Sequence, residues 1–234
     1  MPTGVTLPRM TDHKTVYQEG CERVTALALR LDEAQLASPL PACPGWTVRS
    51  AVAHVTGVLD DALAGNVEGV GSDAWTQAQI DKRADASIED IVAEWRSLTE
   101  QAAPVFEQNE GPLTASLIGD FATHEHDLRG GLANREARDT DAVAVALEWY
   151  ARQFTKKVEG AGLPPVKVAA PGAEWVRGGG EAAATVTADA FTLLRSLTGR
   201  RTQAEVAALD WQGDPTPYLG LVSFYGWPEE PLGE

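Results

Sequence analysis

The stretch from Asp120 to Leu132, DFATHEHDLRGGL, decides how this chain is read. With Leu117 just upstream, its apolar residues Phe121 and Leu128 form one stripe of a helix that advances about 100° per residue. Asp120 and His124 stand one turn apart beside that stripe, and Asp127 falls close to the same line. That places the pair toward the interior of a helical bundle or its rim. By the same count His126 lies roughly opposite the stripe and is expected to face solvent, and it is set aside as a ligand together with Glu125. This helix starts after the break at Gly111-Pro112 and stops around Gly130 to Asn134.

Other segments carry the same period. Val16, Gly20, Val24, Leu27 and Leu31 mark a first helix, capped at Thr11 or Asp12. Thr47 can cap a second helix with Val48, Ala51, Val52, Val55, Val58, Leu59 and Ala62 on one broad face, closed at Gly65. A Gly-rich acidic loop is expected next. Ser87 and Asp90 then open a third helix carrying Ile88, Ile91, Val92, Trp95 and Leu98. After the Asp120 helix, a fifth runs through Val143, Leu147, Tyr150, Phe154 and Val158. From Gly160 the pattern changes to short β-type runs at Val166 to Ala169, Glu174 to Arg177 and Ala183 to Thr187. Asp189 caps a short helix ending at Gly199, and Thr202 with Glu205 forms a capping box. The fold class is mainly α: an up-down helical bundle over residues 1–160, then a small α+β domain over 161–234.

Composition bounds the function. A formal net charge of −15 over 234 residues argues against a nucleic-acid partner, which needs a concentrated positive footprint. No uncharged stretch is long enough to span a bilayer, and Met1 to Lys14 lacks an apolar core of signal-peptide type, so the chain reads as cytoplasmic. Cys21 and Cys43 form no CxxC pair and are expected to be small buried apolar residues. Trp46 and Trp95 read as packing residues, and the aromatic tail Phe224, Tyr225, Trp227 as packing on the C-terminal domain.

On the second helix His54 flanks the apolar face and can also look inward. One histidine there and a carboxylate-x3-histidine on the Asp120 helix is the donor set of a three-ligand site in a bundle. Two imidazoles and a carboxylate suit zinc and leave a coordination position open; Asp127 could hold the second ring nitrogen of His124. The competing reading makes His54 and His124 hydrogen-bonded core residues, and Asp127 with Arg129 a solvated helix end.

The run Pro44 to Gly57, PGWTVRSAVAHVTG, together with Asp120 to Leu132, resembles two motifs of the mycothiol-dependent maleylpyruvate isomerase family, part of the DinB-like group of metal-binding bundles. Ala182 to Arg201 and Gly220 to Pro228 resemble its C-terminal domain more weakly. The resemblance implies His54, Asp120 and His124 as ligands of a divalent metal, with zinc preferred. It implies mycothiol as the thiol cosubstrate and a small electrophile as its partner, in isomerisation or S-transfer. Better-studied members have Glu where this chain has Asp120, one methylene shorter. The resemblance also implies a C-terminal arginine for substrate carboxylates; Arg200 and Arg201 are the candidates, and complementing a helix C-terminus is their alternative role. Two other functions use the same bundle: a non-catalytic small-molecule binder, and a hydrolase using zinc-bound water.

Overall fold

The long helices begin where a side chain can take up their free N–H groups. In the computed structural model, which describes residues 12–108 and 110–234, the Asp12 carboxylate accepts from the Lys14 amide to open α1 (His13–Ala28). The other candidate cap, Thr11, and most of the stretch from Met1 to Lys14 lie outside the described residues. A capping box at Asp32 starts the one-turn α2 (Glu33–Leu36), and Thr47 caps α3 (Val48–Ala64) through the Ser50 amide. Next come α4 (Asp73–Asp81), α5 (Ile88–Gln108), α6 (Pro112–Gly131) and α7 (Asp141–Gly160). Pro112 sits in the first turn of α6, where its missing N–H costs no helical bond.

The chain then turns to β1 (Val166–Ala170), β2 (Ala173–Val176) and β3 (Ala184–Thr187). These lead to α8 (Ala190–Leu197), α9 (Gln203–Ala207), β4 (Asp210–Gln212) and α10 (Thr216–Val222). The strands make one sheet in the order β2-β1-β3-β4. β1 runs parallel to β3, and the two outer pairings are antiparallel. Val166, Val168, Ala184 and Val186 are its buried positions. Phe154 of α7 shares an apolar space with Val168 and Val186 of the sheet and with Leu193 and Leu197 of α8. One helix thus has helices on one side and a sheet on the other. The molecule is mainly helical with a small C-terminal sheet, as expected, and no helix among the described residues is long and apolar enough to cross a membrane.

Several local expectations need correction. The acidic loop after Gly65 contains α4, capped by Ser72. His126 does not face solvent; it is 3% exposed, and Glu125 beside it 2%. The single-stripe count fails because α6 is enclosed on more than one side. Glu125 pairs with Arg23 of α1 at 2.6 Å and with Arg129 at 3.0 Å, and His126 meets the Phe191 ring of α8 edge-on at 4.8 Å. Arg129 is buried as well, so Asp127 and Arg129 do not form a solvated helix end. Phe224 and Tyr225 meet the C-terminal domain, as expected, through the Phe224 N–H on the Leu197 carbonyl of α8 and the Arg200 guanidinium over the Tyr225 ring at 5.6 Å, and they also pack on Tyr150 of α7, a bundle helix. Cys21 is a buried apolar residue whose thiol burial pushes up to about 11, whereas Cys43 is half-buried in a polar cluster.

Candidate metal centre

His54 projects from the second turn of α3, and Asp120 and His124 from consecutive turns of α6; the two helices pack together. One donor atom from each of the three lies within 4.8 Å of the other two. Asp120 Oδ1 is 3.7 Å from His54 Nε2 and 3.8 Å from His124 Nε2. These separations are too long for hydrogen bonds. Ligands about 2.1 Å from a tetrahedral ion stand roughly 3.4 Å apart, so a small inward movement would bring all three to coordinating distance.

The protonation states suit such a site. Burial would raise the Asp120 carboxyl, but the neighbouring His54 and His124 rings outweigh it and hold it below the usual carboxylate range. Burial keeps the His124 ring below the usual imidazole range even though Asp127 and Asp120 pull it upward. A divalent cation binds an ionised carboxylate and imidazoles with a free lone pair, and would itself favour both. His124 Nδ1 lies 3.0 Å from Asp127 Oδ2, which keeps the ring proton on Nδ1 and leaves the Nε2 lone pair toward Asp120. His54 Nδ1 is buried with no hydrogen-bond partner among the described residues. Packing orients its ring instead: Trp46 at 4.9 Å and Trp75 at 6.5 Å.

Trp46 is therefore more than a packing residue, since its ring also stacks on His124 at 5.3 Å. Backbone bonds within the loop that precedes α3 fix it there, from Leu40 N to Trp46 O and from Trp46 N to Cys43 O, each 3.0 Å. The same loop carries Cys43, whose thiol donates to Asp127 Oδ2 at 3.2 Å. Burial, reinforced by the Asp127 charge, raises this thiol and keeps it protonated. Cys43, His124 and Asp127 also offer converging donor atoms. Two guanidinium groups already hold Asp127, however, and their charge opposes a cation there.

Those guanidiniums belong to Arg195 and Arg200. Arg200 grips Asp127 through Nε at 3.1 Å and Nη2 at 2.7 Å and donates Nη1 to the Thr198 carbonyl. Arg195 reaches Asp127 Oδ1 at 2.8 Å and the Thr123 carbonyl at 3.1 Å. Burial would raise the Asp127 carboxyl, but Arg200, Arg195 and His124 together hold it well below its usual range. Arg201 points elsewhere, to the Glu234 carboxylate at 2.8 Å, and Glu234 also pairs with Arg195. Gly199, where α8 ends, has φ +73°, and a Cβ there would lie 2.4 Å from the Gly226 carbonyl oxygen, so only glycine lets the tail cross at this point.

The structure thus brings His54, Asp120 and His124 together, with Arg200 behind Asp127 and Arg201 on Glu234. Sequence reasoning missed Arg195, Cys43 and Glu234. Their partners are 33 to 157 positions away, beyond any helical period.

The class that emerges is a helical bundle with a two-histidine, one-carboxylate cluster between facing helices, followed by a small sheet. Residues 17–140, more than half of the chain, match the mycothiol maleylpyruvate isomerase N-terminal domain, and the chain belongs to that family. Two solved structures are similar. One is the crystal structure of a histidine-to-alanine mutant of the mycothiol-dependent maleylpyruvate isomerase, at 13% identity over 91% of this chain and 96% of that one, with a TM-score of 0.54. The other is the crystal structure of the mycothiol-dependent maleylpyruvate isomerase, at 14% identity over 85% and 92%, with a TM-score of 0.50. At these identities the likeness is one of fold. No curated protein matches the sequence.

Proposed function

We propose that the chain is a metal-dependent enzyme that uses mycothiol as its thiol cosubstrate to isomerise a small electrophile or to attach the thiol to it through its sulfur. The carrying observation is the convergence of His54 Nε2, Asp120 Oδ1 and His124 Nε2 without hydrogen bonds among them, in a chain of this family. The donor set fits a divalent ion, and zinc best by ligand type. When bound, such an ion supplies the positive charge that lowers the pKa of a thiol at the open position. The protein's own residues do the rest. Asp127 fixes the His124 tautomer, Trp46 clamps both imidazoles, and Arg200 neutralises Asp127 so that the buried carboxylate stays ionised. Arg200 or Arg201 as a substrate contact remains part of this proposal, and either would have to give up a carboxylate now in place.

Metal analysis of the purified protein beside His54→Ala and His124→Ala tests the first half. The parent should carry about one ion per chain and both variants should lose it; full retention in both would overturn the site. The second half is tested by incubating the metal-loaded protein with a panel of electrophiles. Consumption that needs mycothiol supports the reading, and turnover without thiol favours a zinc-water hydrolase. Tight binding with no turnover favours a carrier.

A further inference from the structure

A buried chain of charges links Glu234 to the proposed ligand His124, and no part of it lies on the apolar stripe that predicts the helices. Glu234, with only 4% of its side chain exposed, pairs with Arg195 and Arg201. Arg195, fully buried on α8, holds Glu234 on one side and Asp127 Oδ1, at 2.8 Å, on the other. Asp127 in turn lies 3.0 Å from His124 Nδ1. The fit around Glu234 is close: a Cβ on Gly130 of α6 would come within 3.2 Å of Glu234 Oε1.

The count of charges gives this chain a direction. Three guanidiniums, Arg195, Arg200 and Arg201, share two carboxylates, Asp127 and Glu234. Arg195 is the shared member, so the charge that Glu234 takes from it is charge that Asp127 does not have to balance. The less Asp127 is drawn to arginine, the more of its acceptor strength goes to the His124 ring N–H.

We propose that Glu234 is a positioning residue for the metal centre: through Arg195 it sets how strongly Asp127 holds His124. The inference rests on the metal-site reading above, but its most direct readout does not need the metal. Glu234→Gln keeps the shape and removes the charge. Arg201→Gln removes the competitor for Glu234, leaving it to pull harder on Arg195. The two variants should therefore move His124 in opposite directions, which a general loosening of the tail would not do.

The experiment is ¹⁵N-histidine NMR of the metal-free full chain, followed by zinc competition titration. Glu234→Gln should shift the His124 Nδ1–H proton upfield, as its hydrogen bond weakens, and weaken zinc binding by about 3- to 10-fold, below the range seen when a direct partner of a ligand is removed. Arg201→Gln should shift the same proton downfield and leave zinc binding equal or tighter. An unchanged resonance in Glu234→Gln, or a shift of the same sign in both variants, would overturn the proposal whatever happens to thermal stability. If Glu234→Gln does not fold, the Arg201→Gln shift decides alone: downfield supports, unchanged or upfield refutes. A parent that binds no zinc would defeat the metal reading, while the NMR shifts would still judge this link.

Discussion

At the scale of single residues, Asp127 joins the proposed ligand His124 to the C-terminal arginines. Its two oxygens face His124, Cys43, Arg195 and Arg200, and its side chain is fully buried. Replacing it with asparagine would leave Arg195 and Arg200 short of a buried counter-charge. Breaking a buried ion pair from one side costs about 3–5 kcal/mol, so Asp127→Asn should lower the unfolding free energy by that order in urea titrations. A loss below about 1 kcal/mol would mean that water or other groups already balance these arginines. The place of Asp127 behind His124 was legible from their three-residue spacing. The arginines and Cys43 were not, because each arrives from a distant segment. Buried His126 escaped the reading for a different reason: its face of α6 is covered by Phe191, far along the chain, and burial pushes its ring down to about 4.

At the scale of elements, close approach and charge decide which helices meet. A Cβ at Gly20 of α1 would lie 2.3 Å from the Phe121 ring of α6, which is itself held edge-on against Tyr17. Gly20→Ala should therefore destabilise the protein by about 1–3 kcal/mol through overpacking, outweighing alanine's better helix propensity; a gain in melting temperature would contradict this packing. On α3, Asp60 holds Lys82 and Arg83 beside α4. Burial opposes its ionisation, but these two cations lower its pKa below the ordinary value. A depressed folded-state pKa stabilises above the unfolded value, near 4, and that stability is lost as pH falls through the folded value. The gap in urea midpoint between the parent and Asp60→Asn should stay constant from pH 7 to 5 and narrow below about pH 4. A gap that narrows between pH 7 and 5 would mean that another group carries it.

Legibility differed among elements for physical reasons. α3, α5 and α7 each present a continuous apolar face, and the caps Thr47, Asp189 and Thr202 are written in the sequence. α4 was illegible because Gln79 is its one buried residue, so no apolar period marks it. β4 is a three-residue edge strand with an exposed-intermediate-exposed pattern, and α10 follows a proline inside an aromatic stretch. Such elements are formed by what they pack against.

At the scale of the whole molecule, the net charge of −15 sets a repulsive field for anions approaching the centre. Screening over a Debye length of about 8 Å at physiological ionic strength weakens that field. For an anionic electrophile, kcat/KM should rise as salt is raised from 10 mM to 0.2 M; for a neutral one it should stay flat. A fall with salt for the anion would point to local positive steering, with the C-terminal arginines as its source. The family match places residues 17–140 in the mycothiol maleylpyruvate isomerase N-terminal domain, and the buried ties from α8 and the tail to α6 make the sheet unit part of the support of the proposed metal centre.

His54, Asp120 and His124 are proposed to hold an ion whose remaining position takes a thiol. X-ray absorption at the zinc edge, recorded with and without mycothiol, tests this most directly. The zinc protein should show a shell of two imidazole nitrogens with oxygen donors, and one added sulfur at about 2.3 Å when the thiol is present. A spectrum without imidazole scattering, or one in which mycothiol brings no sulfur to the metal, would contradict the proposed site.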